Sequence, residues 1–132
     1  MLFRSRPSRA ITKEEGVITH LVLFRPKPDL TASEGRVLLE TFVQAATTIP
    51  SVQGVRIGRR VTFGHAYEAV PQPDHAFVVE LDFVDPDGLN AYLRHPVHGE
   101  LASRFYGAVA HAHAYDFDMQ SDPAGLTYRR LS

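Results

Sequence analysis

The sequence contains no cysteine among its 132 residues. Disulfide bonds, thiolate nucleophiles and cysteine-ligated metal sites are therefore excluded. Its charge is nearly balanced, because 14 Lys and Arg residues stand against 15 Asp and Glu residues. Such a balance argues against a surface built mainly for nucleic acid or an anionic membrane. No apolar run approaches the ~20 residues that a transmembrane helix needs.

Several motifs of binding and catalysis are also missing. The chain has no glycine-rich phosphate loop and no Gly-x-Ser-x-Gly nucleophile elbow, which argues against nucleotide binding and serine-hydrolase chemistry. Its aromatic residues are not interleaved with a basic stripe, so RNA binding has no support. We therefore expect no nucleic-acid partner and no membrane partner.

The two ends of the chain differ from its middle. Residues 1–15 carry three arginines within their first nine positions but lack the apolar run of roughly 7–15 residues that a secretory signal requires. They are predicted to be a flexible basic arm, and the cytoplasm is the expected location. Residues 120–132 lose periodicity and are predicted to be a C-terminal tail. One domain over residues 16–119 is long enough to bury an adequate core.

The hydrophobic pattern of this domain predicts the order β-α-β-β-α-β. Segments rich in β-branched and aromatic residues predict four strands, at residues 17–24, 52–63, 75–84 and 110–119. Gly58 suggests a bulge or a close backbone approach in the second strand.

Two helix starts are also marked in the sequence. Thr31-x-x-Glu34 is a capping-box pattern that predicts a helix over residues 32–47, with an apolar stripe of Val37, Leu38, Phe42, Val43 and Ala46. Asp85 followed by Pro86 is typical of a second start. That helix should carry Leu89, Tyr92 and Leu93 inward, break at Pro96 and resume over about residues 97–106.

This order is that of an α+β, ferredoxin-like fold, with a four-stranded antiparallel sheet and two helices on one face. The first and third strands are apolar on both faces, so the sheet face without helices is an expected interaction surface. A homodimer joined sheet to sheet would cover that face, and two such sheets can close into an α/β barrel. We therefore predict a homodimer.

The stretch from Tyr92 to His98 places one tyrosine and two histidines around Pro96. Proline disfavours helical dihedrals in the residue before it, so His95 is predicted to end one helical segment and to satisfy the broken backbone with its ring. A histidine suits acid–base work near neutral pH, and a neighbouring tyrosine can donate a hydrogen bond to an oxyanion. Spacing alone favours the structural interpretation, in which His95 caps the break and His98 is a satisfied, partly buried histidine.

Histidines on the predicted strands raise two further possibilities. His20 shares a strand face with Val22 and Phe24, and a histidine in an apolar strand needs a hydrogen-bond partner, most simply a backbone carbonyl. His111 and His113 share one face of the last strand, a spacing that can bind Zn²⁺, but zinc needs three or four ligands and we predict no metal site. If the helices cover the face of Ala112 and Ala114, these two histidines face the partner sheet. Asp116 and Asp118 share the opposite face from the two histidines, and no role is assigned to them.

Four features together resemble the stress-responsive dimeric α/β-barrel (Dabb) domain over about residues 17–118: Thr19–Phe24, Ile49–Pro50, Gly58 and Tyr92-x-x-His-Pro-x-His98. The resemblance implies a ferredoxin-like subunit that dimerises through its sheet. Most members of this family have no assigned reaction. A plant polyketide cyclase of the family closes a linear polyketide by aldol condensation, without a metal or an organic cofactor.

By this resemblance the catalytic roles fall on three residues. His98 would be the general base, Tyr92 would orient it or stabilise the enolate, and His20 would line the pocket. His95 and Pro96 would be structural. No cofactor is expected, and the ligand would be a small hydrophobic or β-keto compound. The further pocket positions are Val22, Phe24, Phe42, Val43 and Leu101.

The sequence departs from the cyclase at positions that shape the cavity, namely Arg104, Val109, Ala112 and Ala114. The cyclase has larger or purely apolar side chains there, so the cavity would differ and an anionic ligand is conceivable. The alternative function is a non-catalytic small-ligand-binding or stress-response module whose dimer is its main product. A third hypothesis is a cofactor-free monooxygenase or a dechlorinase-like enzyme, but the sequence contains no motif that would distinguish either from the first two functions. Convergence of His20, Tyr92 and His98 on one solvent-connected cavity would favour an enzyme.

Overall fold

The computed structural model of the chain describes residues 16–126. The helices and strands are β1 (Gly16–Pro26), α1 (Ala32–Thr48), β2 (Gly54–Arg59), β3 (Phe77–Phe83), α2 (Pro86–Arg94), α3 (Pro96–Ala108) and β4 (Val109–Gln120). The predicted arm at residues 1–15 and the last part of the predicted tail, residues 127–132, lie outside the described residues. Between residues 16 and 126, no helix combines the length and the apolar character needed to cross a bilayer.

The four strands form one sheet in the order β2-β3-β1-β4, and all neighbouring strands are antiparallel. This is the predicted ferredoxin-like arrangement, which is confirmed. The register places Asp116, His20, Leu81 and Val55 in one row across the four strands. Residues directly opposite one another on paired strands share a sheet face, so this row lies on a single face.

The core lies between that face and the helices. Val79, Leu81 and Phe83 alternate along β3 and are completely buried, as the period of two predicts. Phe24 of β1 is also fully buried, and its ring centroid lies 6.1 Å from that of Phe42 and 5.1 Å from that of Phe105. Aromatic contacts of this kind add to the stabilisation from buried apolar area.

The capping box of α1 is confirmed in both directions. The backbone N–H of Glu34 donates to Oγ1 of Thr31 at 3.1 Å, and the backbone N–H of Thr31 donates to Oε1 of Glu34 at 2.9 Å. The predicted apolar stripe was wrong at Val37, which is 48% exposed. Val37 precedes Phe42 by five positions and so lies roughly 140° away from it around the helix; Ala45 takes its place in the core.

The second strand was predicted too long, at residues 52–63, and it ends at Arg59. Val61 and Phe63 do not continue its buried face, since they are 58% and 74% exposed. The chain leaves the sheet there because the Glu68 carboxylate accepts hydrogen bonds from the backbone N–H groups of Phe63 and Gly64. A local loop therefore replaces the last part of the predicted second strand. The third strand was also predicted too long, since β3 spans Phe77–Phe83 rather than residues 75–84.

At Gly58 the structure decides between the two predicted roles. The pairing of β2 with β3 runs without a register shift, so there is no bulge. A Cβ atom built on Gly58 would lie 3.0 Å from Cγ1 of Val78 on the neighbouring strand. The glycine is therefore a site of close approach between two strands.

Candidate active site

The break between α2 and α3 is built by a single residue, His95. Its backbone N–H donates to the carbonyl oxygen of Tyr92 at 3.2 Å and closes α2. Its ring Nδ1 accepts from the backbone N–H of Val97 at 3.1 Å and caps α3, which begins at Pro96. The predicted role of His95 is confirmed, because its ring satisfies a backbone donor that the proline break leaves open.

Because the helix breaks between α2 and α3, the ring of His98 on α3 packs against the ring of Tyr92 on α2. The two ring centroids lie 4.8 Å apart in an edge-to-face arrangement. The Tyr92 ring also contacts the ring of His20 of β1, with centroids 6.1 Å apart. The structure therefore brings the three residues predicted to be catalytic together, with the Tyr92 ring in contact with both histidines.

These three side chains line a cavity of about 200 Å³ that is partly open to solvent. Of the other predicted pocket residues, Val22, Phe42 and Leu101 line it as well. Ala114, which the sequence marked as a position that shapes the cavity, lines it too. The sequence interpretation missed the remaining lining residues, which are Leu93, Ala102, Phe105 and Tyr106. The walls are thus mainly apolar, and the polar side-chain groups are those of His20, His98 and the two tyrosines, Tyr92 and Tyr106.

Some predicted positions need correction. Phe24 does not line the cavity, because it is fully buried behind Phe42 and Phe105. Val43 does not line it either, since it lies one residue and roughly 100° beyond Phe42 on the helix. Leu93 was predicted to point into the core, but it is 39% exposed and lies at the cavity.

Among the positions where a departure from the cyclase was noted, only Ala114 lines the cavity. Arg104 is exposed and is not one of the lining residues. The expectation that Arg104 would favour an anionic ligand in this cavity is therefore wrong.

The partner of His20 is the carboxylate of Asp116, not the backbone carbonyl that was expected. Nδ1 of His20 lies 2.6 Å from Oδ1 of Asp116. The His20 side chain is 10% exposed and the Asp116 side chain is 49% exposed. When the ring is neutral, Nδ1–H donates to the carboxylate and Nε2 keeps its lone pair. The alternation of β4 already put Asp116 on the face of Ala114, and only the register with β1 reveals its partner.

The environment of His98 keeps its ring neutral near pH 7. Burial lowers the pKa of His98, and the nearby His20 lowers it further. A hydrogen bond from the ring to the backbone carbonyl of Leu93 acts in the opposite direction. That bond uses the N–H of one ring nitrogen, so the other nitrogen carries a lone pair and can accept a proton.

Tyr92 is held in its protonated form. Its side chain is almost completely buried, and this burial raises the pKa of the phenol well above its ordinary value. Within residues 16–126 no hydrogen bond to the hydroxyl opposes that effect. A buried phenol without such a partner is a ready donor for an oxygen that develops negative charge.

The histidines of β4 lie on the opposite sheet face, because Ala112 and Ala114 pair with the buried face of β1. His113 instead contacts His75: Nδ1 of His113 lies 2.8 Å from Nε2 of His75. Over the part of the chain that the structure describes, no group of three or more His, Asp or Glu side chains is arranged to hold a metal ion.

Three solved structures show the same fold. A hydroxynitrile lyase from Passiflora edulis is 16% identical, with a TM-score of 0.71 over 80% of this chain and 95% of that chain. A Dabb family protein with a ferredoxin-like fold from Mesorhizobium loti is 22% identical, with a TM-score of 0.64 over 78% and 96% of the two chains. A dimeric ferredoxin-like protein of unknown function from Thermobifida fusca is 19% identical, with a TM-score of 0.66 over 86% and 100%.

Comparison with curated protein sequences gives no match. The sequence profile of the stress-responsive A/B barrel domain matches residues 18–119, which is most of the chain and includes nearly all of the sheet and all of α1, α2 and α3. The antiparallel β2-β3-β1-β4 sheet agrees with this match. The match over residues 18–119 shows that the chain belongs to the stress-responsive A/B barrel (Dabb) family.

Proposed function

We propose that the cavity between α2, α3 and the sheet is the active site of a cofactor-free lyase that resembles a polyketide cyclase. In this proposal His98 is the general base and Tyr92 is the hydrogen-bond donor to the developing oxyanion. The observation that carries the proposal is the edge-to-face contact between a neutral imidazole and a buried, protonated phenol inside one apolar cavity.

The base is suited to removing a proton from carbon. A neutral His98 has a free lone pair near pH 7, and its N–H is already engaged with the Leu93 carbonyl, which orients the ring. A proton on a carbon between two carbonyl groups is acidic enough for such a base. His98 takes this proton, and the electron pair of the C–H bond moves into the adjacent carbonyl to give an enolate.

The donor completes the step. The Tyr92 hydroxyl donates a hydrogen bond to the enolate oxygen, and its raised pKa means that it stabilises this charge without losing its own proton. The enolate carbon then forms a bond to a second carbonyl carbon, whose oxygen becomes an alkoxide. The imidazolium of His98 returns the proton to that alkoxide, so the base is regenerated.

His20 would bind and orient the substrate from the sheet side of the cavity, since it lies on β1. Its Nδ1 is held by Asp116, so the neutral ring presents Nε2 as a hydrogen-bond acceptor. An acceptor at this position suits a substrate hydroxyl or an enolic O–H. Asp116 is thus a positioning residue, because it acts through His20 and does not line the cavity.

The size and lining of the cavity limit the substrate. A volume of about 200 Å³ lies below the ~300 Å³ that usually marks a site for a drug-sized ligand. The walls contain Val22, Phe42, Leu101 and Phe105. We therefore propose a β-keto compound whose reacting part is small and whose remaining chain extends through the open side. The fold is shared with an enzyme that is named as a lyase, which is consistent with catalysis on this scaffold.

The test is turnover of a series of β-keto thioesters of increasing length, followed by product analysis. The wild type should form a cyclised or cleaved product, and His98→Ala should reduce kcat by about 10²–10⁴-fold, the usual contribution of a general base. Tyr92→Phe should reduce kcat by about 10²-fold while it preserves the packing. His65→Ala, at an exposed histidine outside the cavity, is the matched control. Saturable binding of the thioesters without turnover in the wild type would support the non-catalytic alternative.

We also propose that two copies associate through the sheet face that carries no helices. Tyr115, Phe117 and Met119 of β4 are each nearly half exposed and lie in one row on this face. Exposed apolar patches of this kind mark interaction surfaces. The Thermobifida fusca protein of this fold is described as dimeric.

Sedimentation equilibrium tests this association. The wild type should have twice the mass of one chain, and Phe117→Lys should shift it to the monomer because the lysine charge would be buried in the contact. Val37→Lys places the same charge on an exposed position of α1 and should leave the dimer intact. A wild-type mass equal to one chain at every concentration contradicts the association and leaves the catalytic proposal untouched.

A further inference from the structure

The cavity of the candidate active site is elongated along α3. Its lining residues on this helix begin at His98 and continue three, four, seven and eight positions beyond it, which places them on one helix face. The last of them is Tyr106. Eight residues of helix correspond to a rise of about 12 Å at roughly 1.5 Å per residue. The cavity therefore continues well beyond the residues proposed to carry the chemistry.

The two ends of this cavity differ in polarity. At one end, the Tyr92 ring contacts the rings of His20 and His98. At the other end, the Phe105 ring lies 5.1 Å from that of Phe24, measured between centroids. His20 and Phe24 both belong to β1, so α3 runs along this strand from the polar groups to the aromatic cluster. We call the second end the apolar end; it is lined by Val22, Phe42, Ala102, Phe105, Tyr106 and Ala114.

The apolar end is open to solvent along one side. Phe105 is 8% exposed and belongs to its inner wall, whereas Tyr106, one residue and roughly 100° further around α3, is 75% exposed. Ala114 is also exposed, because it lies on β4 at the edge of the sheet, where it pairs with Val22. Ala102 and Ala114 contribute only a methyl group each, so this side has room for a carbon chain.

The apolar end does not overlap with the surface proposed for the association of two copies. Ala114 lies on the helix side of the sheet, whereas Tyr115 and Phe117 of the same strand lie on the face without helices. Side chains at odd and even positions of a strand point to opposite sides of the sheet. A second copy on the helix-free face is therefore separated from the apolar end by the sheet itself.

From this arrangement we infer that the apolar end binds the hydrocarbon tail of the substrate, and that Tyr106 and Ala114 determine which tail is accepted. The inference rests on the proposed function, since the reacting β-keto group would lie at His98. A substrate without a tail would leave the apolar walls in contact with water. An unbranched tail covers these walls and the exposed Tyr106 ring, and each methylene group removed from water adds about fourfold to the affinity.

The same lining disfavours a charged tail. Among the described residues that line the cavity there is no Lys, Arg, Asp or Glu side chain. A charge placed at the apolar end would lose its hydration without gaining a partner of opposite sign, which is costly. The expected substrates are therefore β-keto compounds with an uncharged, unbranched hydrocarbon tail.

Methyl ketones of increasing length test this subsite without requiring turnover. Methyl ethyl, methyl butyl and methyl hexyl ketone share one carbonyl group that can accept from Tyr92, and they lack the second carbonyl that the proposed reaction needs. Each is titrated into the full chain near pH 7, and the ring signals of His98 and Tyr106 are followed by NMR. Affinity should rise by about fifteenfold for each two added methylene groups. All three ketones should shift the His98 signals, and only the two longer ones should shift those of Tyr106.

Two variants change the apolar end and leave the polar end intact. Ala114→Leu fills it from the sheet side, so methyl hexyl ketone should bind at least about tenfold more weakly while methyl ethyl ketone is unaffected. Tyr106→Ala removes the outer wall and should also weaken only the longer ketones. Tyr67→Ala, at a tyrosine that is 68% exposed and lies outside the cavity, is the control for Tyr106→Ala. Ala110→Leu, at an exposed alanine of β4 outside the cavity, is the control for Ala114→Leu.

Thermal unfolding and the ring signals of His20 show whether each variant keeps its fold. Tyr106 is exposed on its helix, so Tyr106→Ala keeps the test valid if Ala114→Leu does not fold. Equal affinity for the three ketones would overturn the inference, and so would an absence of saturable binding by the longest one. Full length dependence in the folded variants would overturn it as well, because the tail would then lie elsewhere.

Turnover of the β-keto thioesters is a separate readout. Ketone binding that depends on tail length, without any product from the thioesters, supports the subsite and contradicts the lyase. Turnover that is lost in His98→Ala but does not depend on tail length supports the lyase and contradicts the subsite.

Discussion

Nδ1 of His20 lies 2.6 Å from Oδ1 of Asp116, although 96 positions separate the two residues along the chain. They meet because β1 and β4 are neighbours in the sheet and place the two residues opposite one another. The contact fixes which ring nitrogen faces the carboxylate, and it therefore fixes the nitrogen that faces the cavity.

Asp116→Ala should release the His20 ring from a single tautomer. In the wild type, nitrogen NMR of the imidazole should show the proton on Nδ1, and the variant should show a mixture. If the proposed reaction is correct, turnover should also fall by about tenfold, the lower end of what loss of an outer-shell partner costs. Asp118→Ala is the matched control. Asp118 lies on the same strand, and its carboxylate accepts a hydrogen bond from the side chain of Gln120 rather than from a histidine. An unchanged His20 tautomer in Asp116→Ala would contradict this role.

The second prediction concerns the electrostatic coupling between His98 and His20. NMR titration should place the pKa of His98 below its ordinary value of 6.5. His20→Gln should raise the pKa of His98, because the electrostatic interaction with His20 lowers that pKa and glutamine, a side chain of similar size, cannot carry a charge. The rate of the proposed reaction should rise with pH through the pKa of His98 and then level off, since the neutral ring is the base. An unchanged pKa in His20→Gln would show that burial alone lowers it.

The third prediction tests the cap at the helix break. His95→Ala should lower the free energy of unfolding by about 1 kcal/mol, because the backbone N–H of Val97 loses its acceptor. His95→Asn supplies a side-chain oxygen in a similar position and should recover most of this loss. Urea denaturation measures both changes. Equal stability of the alanine variant and the wild type would mean that the proline geometry alone sets the break.

The fourth prediction concerns stability in mild acid. Burial lowers the pKa of both His75 and His98, so the unfolded chain binds protons more readily than the folded protein. The free energy of unfolding should therefore be constant above the ordinary histidine pKa and should fall as the pH drops through 6.5 towards the lowered values. Both rings are partly exposed, so each contributes less than the limit of ~1.4 kcal/mol per pH unit.

Urea denaturation at several pH values measures this dependence. The double variant His75→Gln with His98→Gln should show a shallower fall than the wild type, and His65→Gln, an exposed histidine, should not. Asp82 has a raised pKa because of burial and so acts in the opposite direction at lower pH. The free energy of unfolding is therefore compared only at pH values near 6.5 and just below. An unchanged slope in the double variant would contradict the assignment.

Local signals in the sequence determined most of the secondary structure. The capping box at Thr31 and the Asp85-Pro86 pair each predicted correctly where a helix begins, because an N-terminal cap depends on residues within one turn. The proline at position 96 likewise predicted that His95 would cap the break. The alternation of apolar residues predicted which face of β3 is buried. Strand ends were less certain, since the chain leaves the sheet after Arg59 through contacts of Glu68 that periodicity does not show.

By itself, then, the sequence determined the order of helices and strands, the broken second helix and the residue types able to do chemistry. Only the tertiary structure decided that Asp116, not a backbone carbonyl, holds His20, and that the Tyr92 ring contacts two histidines. It also decided that Phe24 is core rather than cavity wall, and it placed Tyr106 of α3 and Ala114 of β4 at one cavity. The physical reason is the same in each case: helix caps and strand periodicity act over a few residues, whereas these contacts depend on strand register and on how the helices pack across the sheet.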